Sequence, residues 1–152
     1  MNKTKTQTSE EKKIKVLIFC PSDLILSGML RAIEADPAIE VINIEKNTIE
    51  SFMESVKKLK PHVILFASTE PLPNMREICK AIGEISKVQA KSQLFLLGNI
   101  PSHEEIVSLI NAGARGYFDF NDPSSQLTEA IRVIHKGEIW LPRDKMSTIM
   151  DR

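Results

Sequence analysis

Residues 62–67, His62-Val63-Ile64-Leu65-Phe66-Ala67, place five apolar side chains in a row between Lys60-Pro61 and Ser68-Thr69-Glu70-Pro71. A strand covered on both faces needs no polar alternation, so this run reads as the centre of a parallel sheet. Upstream of it, Ile49, Phe52, Met53, Val56 and Leu59 recur at the three- and four-residue steps of a helix with one buried face. Before that helix lies a strand from Ile39 to Ile44. Asp36-Pro37 stops an earlier helix that carries Leu26, Met29, Leu30 and Ile33. Val16-Leu17-Ile18-Phe19-Cys20 is a second continuous apolar run, and Pro21-Ser22-Asp23 after it is a helix-start cluster. Downstream, Pro71-Leu72-Pro73-Asn74 opens a helix with Met75, Ile78 and Ile82 on its apolar side. Leu94 to Leu97 is a strand, Ile106, Leu109 and Ile110 mark a helix ended by Gly113, and Gly116-Tyr117-Phe118 is a short strand. Leu127, Ala130, Ile131 and Ile134 line a last helix, closed by Gly137 where a left-handed cap is favoured.

Five strand–helix pairs in strict alternation predict an α/β fold: a five-stranded parallel sheet with helices on both faces. The flavodoxin-like, doubly wound (βα)5 order suits that count, in a single domain over residues 14–142. Residues 1–13 read as a disordered polar arm, and residues 143–152 as a linker or the start of a further helix, with Met146 and Met150 on one side of it. The 152 residues match one ordinary domain, and 42% hydrophobic with 26% charged residues is the balance of a soluble core-forming chain. Twenty Lys and Arg offset twenty Asp and Glu, so the basic excess of a free-standing nucleic-acid binder is missing. No apolar run approaches the roughly 20 residues of a membrane span, and the polar start lacks a signal-peptide core. Cys20 and Cys79 make no disulfide framework, and the expected location is the cytoplasm.

In such folds chemistry gathers beyond the carboxyl ends of the strands. Those ends are Cys20-Pro21-Ser22-Asp23, Ala67-Ser68-Thr69-Glu70, Gly98-Asn99 and Asp119-Phe120-Asn121. The stretches KVLIFCPSDLILSGML, KPHVILFASTEP, NAGARGYFDF and DPSSQLTEAIRVIHKGEIWLP are the most informative, above all Ala112 to Tyr117 and Gly137 to Leu141. On these, the sequence from Lys15 to about Pro142 resembles the receiver domain of a response regulator of the LuxR/NarL type.

The resemblance implies a domain that transfers a phosphoryl group to its own aspartate, at the end of the third strand. It also implies an acidic pair after the first strand to hold Mg²⁺, a hydroxyl residue ending the fourth strand, a lysine ending the fifth and an aromatic switch within the fifth. At the matching positions stand Ala67 for the nucleophile, Cys20 and Pro21 for the acidic pair, Gly98 for the hydroxyl and Phe120 for the lysine. Tyr117 occupies the switch position, and Pro71 the loop proline. A methyl group is no nucleophile, proline ligates no Mg²⁺ and phenylalanine neutralises no phosphate. The expectation is therefore a receiver fold without phosphorylation chemistry, with no catalytic residue, metal or cofactor, holding one conformation.

The neighbouring polar residues read as structural. Ser22-Asp23 caps a helix, Ser68, Thr69 and Glu70 solvate a loop, and Asp119 should point away from Phe120. Both cysteines read as buried and unreactive, because no cation near Cys20 would lower its pKa. His62, His103 and His135 read as scattered, with no pair at ligand spacing. The expected partners are a second copy of the chain, through Ile134, Ile139 and Trp140, and a small-molecule or protein input. DNA is expected only through a helix-turn-helix outside this chain, because ten residues after Pro142 are too few to form one. Two readings lead, ahead of a small α/β enzyme using the strand-end loops, for which the sequence offers no nucleophile–base pair, glycine-rich phosphate loop or metal cluster. One is a phosphorylation-independent regulatory domain of a transcription regulator, severed at its linker. The other is a stand-alone binding module without DNA output.

Overall fold

The computed structural model describes residues 13–67, 75–88, 92–99 and 102–142. Its strands are β1 (Ile14–Phe19), β2 (Ile39–Glu45), β3 (Val63–Ala67), β4 (Gln93–Gly98) and β5 (Ala114–Asp119). They alternate with α1 (Asp23–Glu34), α2 (Ile49–Leu59), α3 (Met75–Val88), α4 (His103–Ala112) and α5 (Leu127–His135), with a short 3-10 turn at Ser124–Gln126 before the last helix. All strand pairs are parallel in the order β2-β1-β3-β4-β5, which is the flavodoxin-like winding.

The absence of polar alternation in the central strands has a direct cause. Val16 and Ile18 of β1, Val63 and Leu65 of β3, and Phe95 and Leu97 of β4 meet Leu26, Met29 and Ile33 of α1 and the apolar stripe of α5 on one face. Leu17 and Phe19, Ile64 and Phe66, and Leu94 and Leu96 meet Phe52 and Val56 of α2, Cys79 and Ile82 of α3 and Leu109 of α4 on the other. Each large side chain so buried contributes roughly 1.5–3 kcal/mol. Phe19 and Phe66 stack with ring centroids 4.7 Å apart, and Phe52 tilts against both at 5.2 and 5.4 Å, tying α2 to the two central strands.

Local signals bound the helices, Ser22 and Gly137 as expected and Thr48 and Ser102 in addition. Ser22, Thr48 and Ser102 accept hydrogen bonds from the backbone N–H groups of Ile25, Ser51 and Glu105. Gly137 follows α5 with φ of 91°, while its N–H and that of Glu138 donate to the carbonyls of Ile134 and Val133, the paired bonds of a Schellman motif. β5 runs longer than the three residues its apolar core marks, because Gly98 pairs with the polar Asp119 at one end and Leu94 with Ala114 at the other. The anticipated arm and tail, with Met146 and Met150, and the Pro71–Asn74 helix opening lie outside the described residues.

Ile134 needs a correction. It is 0% exposed and packs among core residues on the α1 and α5 face, so it meets the sheet and no second copy. Trp140 largely covers its own domain: its N–H donates to the Arg115 carbonyl and its carbonyl accepts from the Tyr117 N–H, bordering β5 along its outer edge. Ile139, 43% exposed, is the member of the trio that faces solvent.

That border explains Gly116. A Cβ there would stand 2.7 Å from the Trp140 carbonyl oxygen and 2.8 Å from Ile134 Cδ1. Gly116→Ala should lower stability by about 1–3 kcal/mol, the cost of overpacking. Gly28→Ala, whose Cβ meets nothing within 4 Å in the middle of α1, should raise it by about 0.5–1 kcal/mol. Urea unfolding midpoints of the two variants check both signs.

Candidate functional site

The strand order reverses between β1 and β3, and the crevice of a doubly wound sheet opens beyond their carboxyl ends. Cys20 and Ala67 stand there, each 1% exposed, and both belong to the core layer that contains Leu97 and Phe118. Phe120, half-buried just past β5, packs against the same layer. The apolar core therefore continues up to the crevice floor. Pro21 is exposed beside it, and Gly98 is buried at the end of β4, where its carbonyl accepts from the Phe120 N–H. The loop carrying Ser68, Thr69, Glu70 and Pro71 lies outside the described residues.

The chemistry of these groups is limited. Burial pushes the Cys20 thiol above its usual pKa, with the nearby Asp23 carboxylate adding to the rise. The thiol donates to the Ser22 carbonyl at 3.4 Å and is neutral near pH 7. Asp23 points outward, 83% exposed, and pairs with Lys46 at 2.6 Å. Such an exposed pair adds little stability. Ser22, the cap, is the residue that satisfies the first turn of α1. Asp119 is the buried charged residue at this end, 2% exposed, and its Oδ1 accepts from the Asn121 N–H at 3.0 Å. Alternation places it on the Tyr117 side of β5, away from Phe118 and Phe120, as anticipated. Among the described residues no group of three or more His, Cys, Asp or Glu is placed to hold a metal ion.

Tyr117 is turned inward, 9% exposed, and its hydroxyl donates to the Asn99 carbonyl at 2.8 Å. This bond joins the end of β4 to the middle of β5, and the sequence alone gives no sign of it. Burial, with the Asp119 and Glu105 carboxylates behind it, pushes the phenol up to about 12. Cys79, behind the same helical layer, is pushed by burial to about 11 and stays a thiol. The three histidines are less scattered than their spacing implies. His62 and His135 come together with ring centroids 5.0 Å apart, at the opposite end of the sheet from Cys20 and Ala67.

This architecture is that of a response-regulator receiver domain, and the proteins it resembles are response regulators of the LuxR/NarL type. The transcriptional regulatory protein LiaR of Bacillus subtilis is 24% identical over 143 residues, covering 91% of this chain and 64% of LiaR. The oxygen regulatory protein NreC of Staphylococcus aureus is 24% identical over 128 residues, covering 84% of this chain and 58% of NreC. The solved structure of a LuxR-family two-component response regulator from Aurantimonas sp. SI85-9A1 superposes with a TM-score of 0.76 at 18% identity, covering 91% of this chain and 96% of that one. No family model matches the chain. The chain thus spans about three-fifths of the curated relatives it matches, 64% and 58% of their lengths. No helix among the described residues is long and apolar enough to cross a membrane.

Tyr117 is the single tyrosine of the chain, so its titration is read directly from tyrosinate absorbance. The midpoint should lie near 12 in the folded chain, against 10.0 for a free phenol. Because the folded form holds this proton more tightly than the unfolded form, stability should fall as pH rises from 10 towards 12. Tyr117→Phe should remove that dependence and cost about 1 kcal/mol at neutral pH, the worth of one hydrogen bond.

Proposed function

We propose that the chain is a regulatory receiver domain that works without phosphorylation. The observation that carries this reading is the crevice floor: Cys20 and Ala67 are buried in the apolar core and Phe120 leans on the same layer. Phosphoryl transfer needs a carboxylate to attack phosphorus and a cation, held by further carboxylates, to neutralise the equatorial oxygens. The matching positions hold a methyl group, a neutral thiol, a proline ring, a glycine and a phenyl ring. Apolar packing takes the place of the charge cluster and removes the repulsion that a bound cation would otherwise offset.

The inward Tyr117, bonded to Asn99, supports a second part of the reading: the domain rests in one conformation without an incoming phosphate. Its output is proposed to pass through a DNA-binding helix-turn-helix outside these residues. The support is that LiaR, described as a transcriptional regulator, is longer than the matched portion. Ile139 is proposed as an apolar contact for a second copy of the chain.

Incubation with acetyl phosphate and Mg²⁺, followed by intact-mass measurement, should return the unmodified mass. A species heavier by one phosphoryl group would overturn the reading. Light scattering of the purified chain should give a dimer for the wild type and a smaller dimer fraction for Ile139→Asp. A wild type that is monomeric at high concentration would remove the homodimer from the reading.

A further inference from the structure

His62 directly precedes β3, and its backbone joins two neighbours: its N–H donates to the Lys15 carbonyl of β1, and its carbonyl accepts from the Gln93 N–H of β4, both at 2.9 Å. A third bond uses the ring, because the Lys15 N–H donates to His62 Nδ1 at 2.9 Å. Nδ1 accepts only through a free lone pair, so the imidazole is neutral and carries its proton on Nε2. That tautomer also withholds Nε2 from metal binding. Against this ring lies His135, the last residue of α5, at 5.0 Å between centroids and 48° between planes.

Adding a proton to His62 changes the contacts of its ring. Nδ1 becomes a donor facing the Lys15 N–H, and the hydrogen bond is lost. The new charge sits near Lys15 on β1 and the His135 ring on α5, both of which disfavour it. β4 faces His62 with a neutral backbone amide, and Arg132, one turn back on α5, is taken up by Asp36.

We infer that His62, packed against His135, is a proton-operated latch that ties the start of β1 and the end of α5 together when its ring is neutral and loosens both when it is protonated. Burial, then His135, then Lys15 hold the His62 pKa below its ordinary 6.5. The unfolded chain therefore binds this proton first. The latch contributes its full stability above pH 6.5 and loses it as pH falls from there through the folded midpoint. The device needs nothing from the crevice at the other end of the sheet, so it stands or falls apart from the phosphorylation reading.

The test is an NMR titration of the full chain from about pH 7.5 to about pH 5, the range in which imidazoles charge. His62 should show the Nε2–H tautomer at the upper end and a midpoint below 6.5, and the Lys15 amide should shift with the same midpoint. His135→Gln should raise the His62 midpoint towards 6.5. His62→Asn, whose Oδ1 still accepts from the Lys15 N–H, should reduce the fall of the urea midpoint on acidification. A His62 midpoint at or above 6.5, or a Lys15 amide that does not follow it, overturns the latch. The wild-type titration decides this even if the asparagine variant does not fold.

Discussion

β1, β3 and β4 have no face to spare. Their side chains alternate between two apolar layers, so every second residue belongs to a different half of the core and each half needs its own helices. A chain meeting that demand must place helices on both faces, and here α1 and α5 cover one while α2, α3 and α4 cover the other. The parallel order, the reversal between β1 and β3 and the crevice at that reversal all descend from it. The aromatic trio of Phe19, Phe52 and Phe66 concentrates the demand at one place, packing two strands and a helix through three rings.

Most of this was legible in the sequence because it is encoded locally. Apolar runs without alternation mark two-sided burial, Ser22 marks a helix start, and Gly113 and Gly137 mark helix ends. Strand ends were less legible, since the last pairs in β5 are set by partners on β4 and not by side-chain polarity. The misplacement of Ile134 was avoidable. It continues the Leu127, Ala130 and Ile131 stripe, and a stripe that faces the sheet at its start faces it one turn later as well.

The candidate site divides in the same way. Cys20, Ala67 and Phe120 are recognisable from residue type at the end of a strand, and the fold places them against one layer. The Tyr117 hydroxyl bond and the approach of His62 to His135 are meetings between distant segments. Only the winding brings them about: α5 runs back antiparallel to the strands and ends over the sheet's starting edge, where β1 and β3 begin. Once the order of the strands is known, a histidine before β3 and another at the last turn of α5 are natural neighbours.

The Trp140 segment has a consequence for assembly. An uncovered outer strand is a template onto which foreign chains can add by main-chain bonding. At β5 the backbone of residue 140 already occupies donor and acceptor sites, and Gly116 lets it lie close. Among the described residues that leaves β2 as the open rim of the sheet. With the Arg115 carbonyl and the Tyr117 N–H taken, β5 offers an incoming strand only an interrupted row of main-chain partners.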